Sequence, residues 1–227
     1  MNWFAITHKK TGHALVNLFG ELGVGQPVED FIAELRDVES IGLRVDSPGG
    51  DSHTGLKVHA AFQLRHVEAT ITGRCGSAAL IATLAAKKIS CIDSARLLIH
   101  QPAVFAFGNA RCLREAADNL DPLAERFELI LACRTNQPIA AVRAWLAKDT
   151  YLSAQEALEA GLVDKIFTPP APHGETVTAG SEILPATIAT EQEEMFSAWL
   201  NCFGKIETAN REKFLQNLHL WALENVR

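Results

Sequence analysis

The sequence predicts an α/β fold built from parallel β-α-β units. Short β-branched apolar runs alternate with stretches whose apolar residues recur at helical spacing. Glycine- and proline-containing turn signals mark where several of these runs stop. The chain has 227 residues, 48% of them apolar, which suits one globular domain of ordinary size with an appendage.

Taken in order, residues 14–22 are apolar, bounded by glycines, and read as a strand. Residues 28–38 follow Pro27 and carry Val28, Phe31, Ile32, Leu35 and Val38 on one helical face. Residues 41–45 are short and branched and stop at Ser47-Pro48-Gly49-Gly50. A helix over 56–64 and a strand over 68–72 follow, the strand ended by Gly73. Residues 78–86 are small and apolar and read as a helix, and 94–99 as a strand. A long helix spans 110–135 and a shorter one 139–147. Ser153-Ala154-Gln155-Glu156 is a capping box opening a short helix that Gly161 closes, and 162–167 is a final strand.

From residue 168 the composition changes. Pro169, Pro170 and Pro172, two glycines and several threonines read as a linker over 168–189. Thr190-Glu191-Gln192-Glu193 is a second capping box. Met195, Phe196, Trp199, Leu200 and Phe203 share one helical face, and Phe214, Leu215, Leu218, Trp221 and Ala222 share another. The expected organisation is a domain over 1–167, the linker, and an amphipathic helical tail over 190–227.

The formal net charge is −6 and no basic block stands out, so no nucleic-acid partner is expected. The five cysteines form no C-x-x-C pair, which argues against zinc and for free thiols in a reducing, cytoplasmic compartment. No apolar run is long enough to cross a membrane, and the first ten residues do not read as a secretion signal.

Three residues carry candidate chemistry, and each has an ordinary reading beside it. Ser77, in Gly73-Arg74-Cys75-Gly76-Ser77-Ala78-Ala79, lies between a strand end and a helix start among small neighbours. A serine there is open to a substrate backbone, but taken alone it reads as a helix N-cap. His100 ends the apolar strand Leu97-Leu98-Ile99 at the rim of the sheet, where α/β sites form. Asp149 precedes a capped helix and by itself is a turn aspartate, while Asp46, Asp51 and Asp93 are rival carboxylates. The Pro48-Gly49-Gly50 turn exposes backbone N–H groups suited to an oxyanion, or is a plain turn.

The order of the motifs says more than any one of them. Asp46-Ser47-Pro48-Gly49-Gly50-Asp51, then the Ser77 segment, then Leu97-Leu98-Ile99-His100-Gln101-Pro102, then Lys148-Asp149-Thr150-Tyr151-Leu152-Ser153 and on to Asp164, resembles the ClpP peptidase family. The likeness runs from about residue 18 to residue 167. It implies Ser77 as nucleophile, His100 as general base, Asp149 as the acid that orients the histidine, and the backbone N–H groups of Gly50 and Ala78 as oxyanion donors. It also implies a crotonase-like β-α superhelix, a homo-oligomeric ring, a polypeptide substrate and an ATP-driven unfoldase as partner, with no metal or organic cofactor.

The chain departs from the family's pattern at Ala103-Val104-Phe105-Ala106-Phe107, which stands before Gly108 where the family carries a Gly-Gly pair soon after His-Gln-Pro. In the family that segment lines the substrate groove and helps join the rings. Ala78 stands where a methionine is common. Ser77-Ala78-Ala79-Leu80-Ile81-Ala82, Gly108-Asn109-Ala110 and Leu120-Asp121 look more like the head-maturation proteases of phages and prophages, for which a capsid protein is the implied partner. The alternative readings are an acyl-CoA hydratase or isomerase on the same superfamily fold, and a non-catalytic shell protein.

Overall fold

Strands whose side chains alternate between buried and exposed set one face of a sheet against helices. The computed structural model describes residues 2–10 and 12–169. In chain order they form β1 (Phe4–Lys10), β2 (His13–Leu22), α1 (Val28–Glu34), β3 (Ser40–Gly50), α2 (Ser52–Gln63), β4 (His66–Gly76) and α3 (Ser77–Thr83). There follow β5 (Lys88–Ile92), β6 (Arg96–Ile99), α4 (Ala110–Thr135), α5 (Ile139–Leu146), β7 (Thr150–Ser153), α6 (Ala154–Glu159) and β8 (Lys165–Phe167). The tail, and the linker from residue 170 on, lie outside the described residues.

The sheet runs β1-β2-β3-β4-β5-β8. Its neighbours from β2 through β8 are parallel, as the alternation of strands and helices predicts, and β1 joins antiparallel at the edge. β4 has two partners in succession. Residues Glu68–Ile71 pair with β5, and Arg74–Gly76 pair with β6. Gly73, expected to end the strand, sits instead at this change of partner. β6 then pairs antiparallel with β7. The short strands β5 and β7 and the edge strand β1 were not apparent in the sequence: β5 and β7 span few residues, and β7 runs straight into a capping box.

Helix 28–38 was expected to be longer than α1 proves to be. Arg65 explains its end: the guanidinium donates to the carbonyls of Leu35, Val38 and Ala61, so the chain leaving α1 turns against the end of α2 instead of continuing the helix. The capping box of α6 forms as expected, with Ser153 Oγ accepting from Glu156 N and Glu156 Oε2 accepting from Ser153 N. Gly161 closes α6 at φ 77°, a conformation that favours glycine. α4 spans Ala110–Thr135 as predicted and runs through Pro122 at an exposed position, where the displaced carbonyl faces water. It buries Leu123, Phe127 and Leu131 and leaves Leu113 exposed.

One core runs along the sheet and its helices. Within it Trp3, Phe4, Phe31 and Phe62 interlock with ring centroids 4.8 to 5.9 Å apart. α2 packs on α3, and His59 of α2 lies buried with Nδ1–H donating to the Ile81 carbonyl of α3 at 2.7 Å. Burial lowers the His59 pKa from 6.5 to about 4, so the folded protein holds the ring neutral.

Below pH 6.5 the unfolded chain takes up a proton at this ring and the folded chain does not until about pH 4. Stability is therefore undiminished above that window and falls as pH drops through it, by about 1 kcal/mol per pH unit. In His59→Gln, urea unfolding measured across the window should show a flatter dependence on pH. An unchanged slope would assign the acid sensitivity elsewhere.

Candidate active site

Two strands end and a third begins at one place. Gly76 of β4 lies opposite Leu98 of β6, and Ile99 of β6 lies opposite Thr150 of β7. Ser77, His100 and Asp149 are the residues one step beyond these paired positions. The ladder thus gathers three side chains that are far apart in sequence.

Ser77 begins α3 at φ 51°, in the left-handed region, and is one of three described residues other than glycine with positive φ. Gly76, not Ser77, is at the N-cap position, and no side chain caps the helix. The N-cap reading of Ser77 is thereby replaced by a sharp strand-to-helix turn. A left-handed serine costs about 1–2 kcal/mol. The turn is so tight because backbone crosses it closely: a Cβ on Gly49 would lie 2.7 Å from Ser77 Cβ and 2.8 Å from the Gly76 carbonyl oxygen, and one on Gly76 would lie 2.7 Å from the Pro48 carbonyl oxygen. A Cβ on Gly55 of α2 would likewise lie 2.7 Å from the Ala78 carbonyl oxygen.

His100 follows β6 with its side chain 27% exposed, and its Nδ1 lies 3.9 Å from Asp149 Oδ1. That is an ion-pair distance and longer than a hydrogen bond. Asp149 is 74% exposed and also left-handed, at φ 49°. The turn that carries it is fixed by Thr150 Oγ1 and Lys148 N, both donating to the Trp145 carbonyl at the end of α5. The rival carboxylates are engaged elsewhere. Asp51 caps α2, accepting from Thr54 N and Thr54 Oγ1, and Asp46 accepts from Arg74 N. Asp93 lies between β5 and the start of β6, while His100 follows the end of β6, and the Asp93 N–H donates to the Phe167 carbonyl.

Ser77 and His100 both lie over apolar side chains that include Leu80, Leu98, Phe127 and Leu146. Beside Ser77, β3 runs on through Ser47-Pro48-Gly49-Gly50 rather than stopping there as expected. Gly49 and Gly50 take φ 115° and 143°. Asp51 N donates to the Leu22 carbonyl and Gly49 N to Ser47 Oγ.

The nearest other nucleophile is silent. Cys75 is fully buried two residues before Ser77, and burial pushes its thiol up to about 12. Cys75, Cys91 and Cys112 are free thiols. Among the described residues no group of His, Cys, Asp or Glu is arranged to hold a metal ion, and no helix is long and apolar enough to cross a membrane.

The family model described as Clp protease matches residues 31–170, a span that includes Ser77, His100 and Asp149. The chain belongs to the Clp protease family. The ATP-dependent Clp protease proteolytic subunit 1 of Prochlorococcus marinus is 32% identical over 162 residues, covering 63% of this chain and 81% of that protein. A mutant of ClpP1 from Listeria monocytogenes superposes with a TM-score of 0.61 at 25% identity, covering 69% of this chain and 92% of that one. The fold is the ClpP fold, and this Clp family member is a serine-type endopeptidase.

The contact between Gly49 and Ser77 makes a sharp test of the site. Gly49→Ala forces a Cβ into the Ser77 turn and a side chain onto a left-handed backbone. Hydrolysis of a fluorogenic peptide should drop about 100-fold, as misplacement of a reacting group by about 1 Å does. Activity within about twofold of the parent would show that the turn tolerates displacement.

Proposed function

We propose that Ser77, His100 and Asp149 form the Ser-His-Asp triad of this peptidase, with the N–H groups of Gly50 and Ala78 as oxyanion donors. The observation that carries the reading is the convergence of three strand ends on one rim, with His100 3.9 Å from Asp149. His100 takes the Ser77 proton as Ser77 Oγ attacks the scissile carbonyl. The two amides stabilise the oxyanion, Ala78 N–H being among the first of α3 and so outside the helix's own ladder. His100 then protonates the leaving amine, and water resolves the acyl-enzyme. Asp149 holds the imidazole tautomer and stabilises the imidazolium. The acyl-CoA hydratase alternative shares the two-amide hole but has no use for a histidine–aspartate pair beside a serine.

Substrates are polypeptides, whose backbone can approach Ser77 among the small residues Gly76, Ala78 and Ala79. Val104, Phe105 and Phe107 follow the histidine on an irregular segment, with both phenylalanines fully exposed. Large apolar side chains this open mark a surface that something covers. A homo-oligomeric ring covers it and keeps cellular proteins from an open peptidase site. The name of the Prochlorococcus relative includes ATP dependence, which supports an ATP-driven unfoldase as partner over a capsid protein.

Ser77→Ala should abolish peptide hydrolysis and fluorophosphonate labelling while leaving the fold intact, and labelling at another serine would remove Ser77 from its role. Asp149→Asn tests the orienting acid without disturbing the backbone, because asparagine tolerates the left-handed φ of 49°. Its kcat should fall about 10⁴-fold with KM little changed. Nearly full activity would mean that another group orients His100.

The oligomer is tested by native mass. At micromolar concentration the parent should run as a closed assembly of about six or more subunits, and Phe105→Ser with Phe107→Ser should reduce that mass. A monomeric parent would refute the ring.

A further inference from the structure

Ser47 is fully buried, yet its side chain is polar and takes no part in the chemistry described above. It stands where β3 loses register with both neighbours. On one side the pairing with β2 shifts between Phe19 and Glu21, and on the other the pairing with β4 shifts between Val45 and Ser47. A bulge of this kind interrupts the ladder and leaves backbone groups without strand partners. The Ser47 hydroxyl takes up two of them. It donates to the Gly20 carbonyl at 2.6 Å and accepts from Gly49 N–H at 3.2 Å. A hydroxyl has one proton and two lone pairs, so both bonds are met at once. Alanine at this position would leave the buried Gly49 amide unsatisfied and the Gly20 carbonyl without its protein partner.

The consequence reaches the catalytic turn. Gly49 is the residue whose backbone lies against Ser77, and the next amide is that of Gly50. Gly49 and Gly50 both have positive φ, a region in which glycine has many alternatives. The directions of these two peptides are therefore not set by their own side chains. Two bonds set them from outside: Asp51 N to the Leu22 carbonyl after the pair, and Gly49 N to Ser47 Oγ before it. We propose that Ser47 is a positioning residue for oxyanion binding: by tying Gly49 N–H to the Gly20 carbonyl through its buried hydroxyl, it fixes the direction of the Gly50 N–H relative to Ser77. The inference rests on Gly50 being an oxyanion donor, as proposed above. It adds a residue that acts through the loop and touches no substrate.

The role predicts a kinetic signature that simple loss of stability does not share. An amide pointed the wrong way weakens only the interaction made in the transition state, so kcat falls and KM holds. The test uses the full-length protein, with active sites counted by the end point of fluorophosphonate labelling. In Ser47→Ala, kcat per labelled site on a fluorogenic peptide should fall about 10- to 100-fold, somewhat less than loss of a donor outright, with KM within about threefold. Ser47→Cys keeps the side chain's shape with a weaker hydrogen-bonding group, should fall between alanine and parent, and carries the same test if the alanine variant does not fold. Partial misfolding alone would reduce the number of labelled sites and leave kcat per site unchanged, which would overturn the proposal. A parent that is not labelled at Ser77 would sink the triad reading and this proposal with it. A parent that labels normally beside an unimpaired Ser47→Ala would sink this proposal alone.

Discussion

The site depends on β4 changing its partner partway along its length. Up to Ile71 the strand is held by β5, and from Arg74 it is held by β6. Had it ended at Gly73, Ser77 would hang on a loop. Because it continues, Ser77 follows directly from a strand paired on β6, and β6 delivers His100 and, through β7, Asp149. The residue at the change must be small. A Cβ on Gly73 would lie 2.5 Å from Asp46 Oδ1, and that carboxylate accepts from Arg74 N, the first amide of the new pairing. Asp46, considered as a rival catalytic carboxylate, serves the strand that carries the nucleophile.

Strain gathers around the same point. Ser77 and Asp149 are left-handed without being glycine, and Gly49 and Gly50 supply two further positive-φ positions beside them. Each non-glycine residue held this way costs about 1–3 kcal/mol. That cost persists only where surrounding structure leaves no alternative. Here α2 packs on α3 through Gly55, His59 holds the Ile81 carbonyl, and Thr150 anchors the Asp149 turn to α5. The aromatic cluster of Trp3, Phe4, Phe31 and Phe62 belongs to the same core but contributes ordinary packing and no catalytic group.

Much of this was legible in the sequence, and the limits have physical causes. Helix α4 and the α6 capping box were readable because helical periodicity and cap chemistry are local. Ser77, His100 and Asp149 were each ambiguous alone and became candidates through the order of their motifs. What local reading missed is what the sheet decides. Gly73 and Ser47-Pro48-Gly49-Gly50 carry turn signals, but neighbouring strands hold them in extended ladders. β5 and β7 span only five and four residues, and their existence depends on having an edge to pair with. Ser47 looked like part of a turn motif, because nothing in the sequence shows that its hydroxyl is buried against Gly20.

The buried and exposed polar groups of the site divide the work between fixed structure and open chemistry. His59, Cys75 and Ser47 are buried, hydrogen-bonded and uncharged, so they hold geometry without competing for protons or substrate at neutral pH. Asp149 is largely exposed, and at 3.9 Å in water an ion pair with a histidine is worth only about 0–1 kcal/mol. Water is what weakens it. Covering the rim would lower the local dielectric, which raises the Coulomb attraction between the two groups and adds a cost for removing them from water. Tyr151 and Phe105, exposed on the chain near Asp149 and His100 in sequence, are apolar surface of the kind that such a cover would bury. In the proposed ring, the balance between that attraction and that cost would be set by how much of Asp149 the neighbouring surface covers.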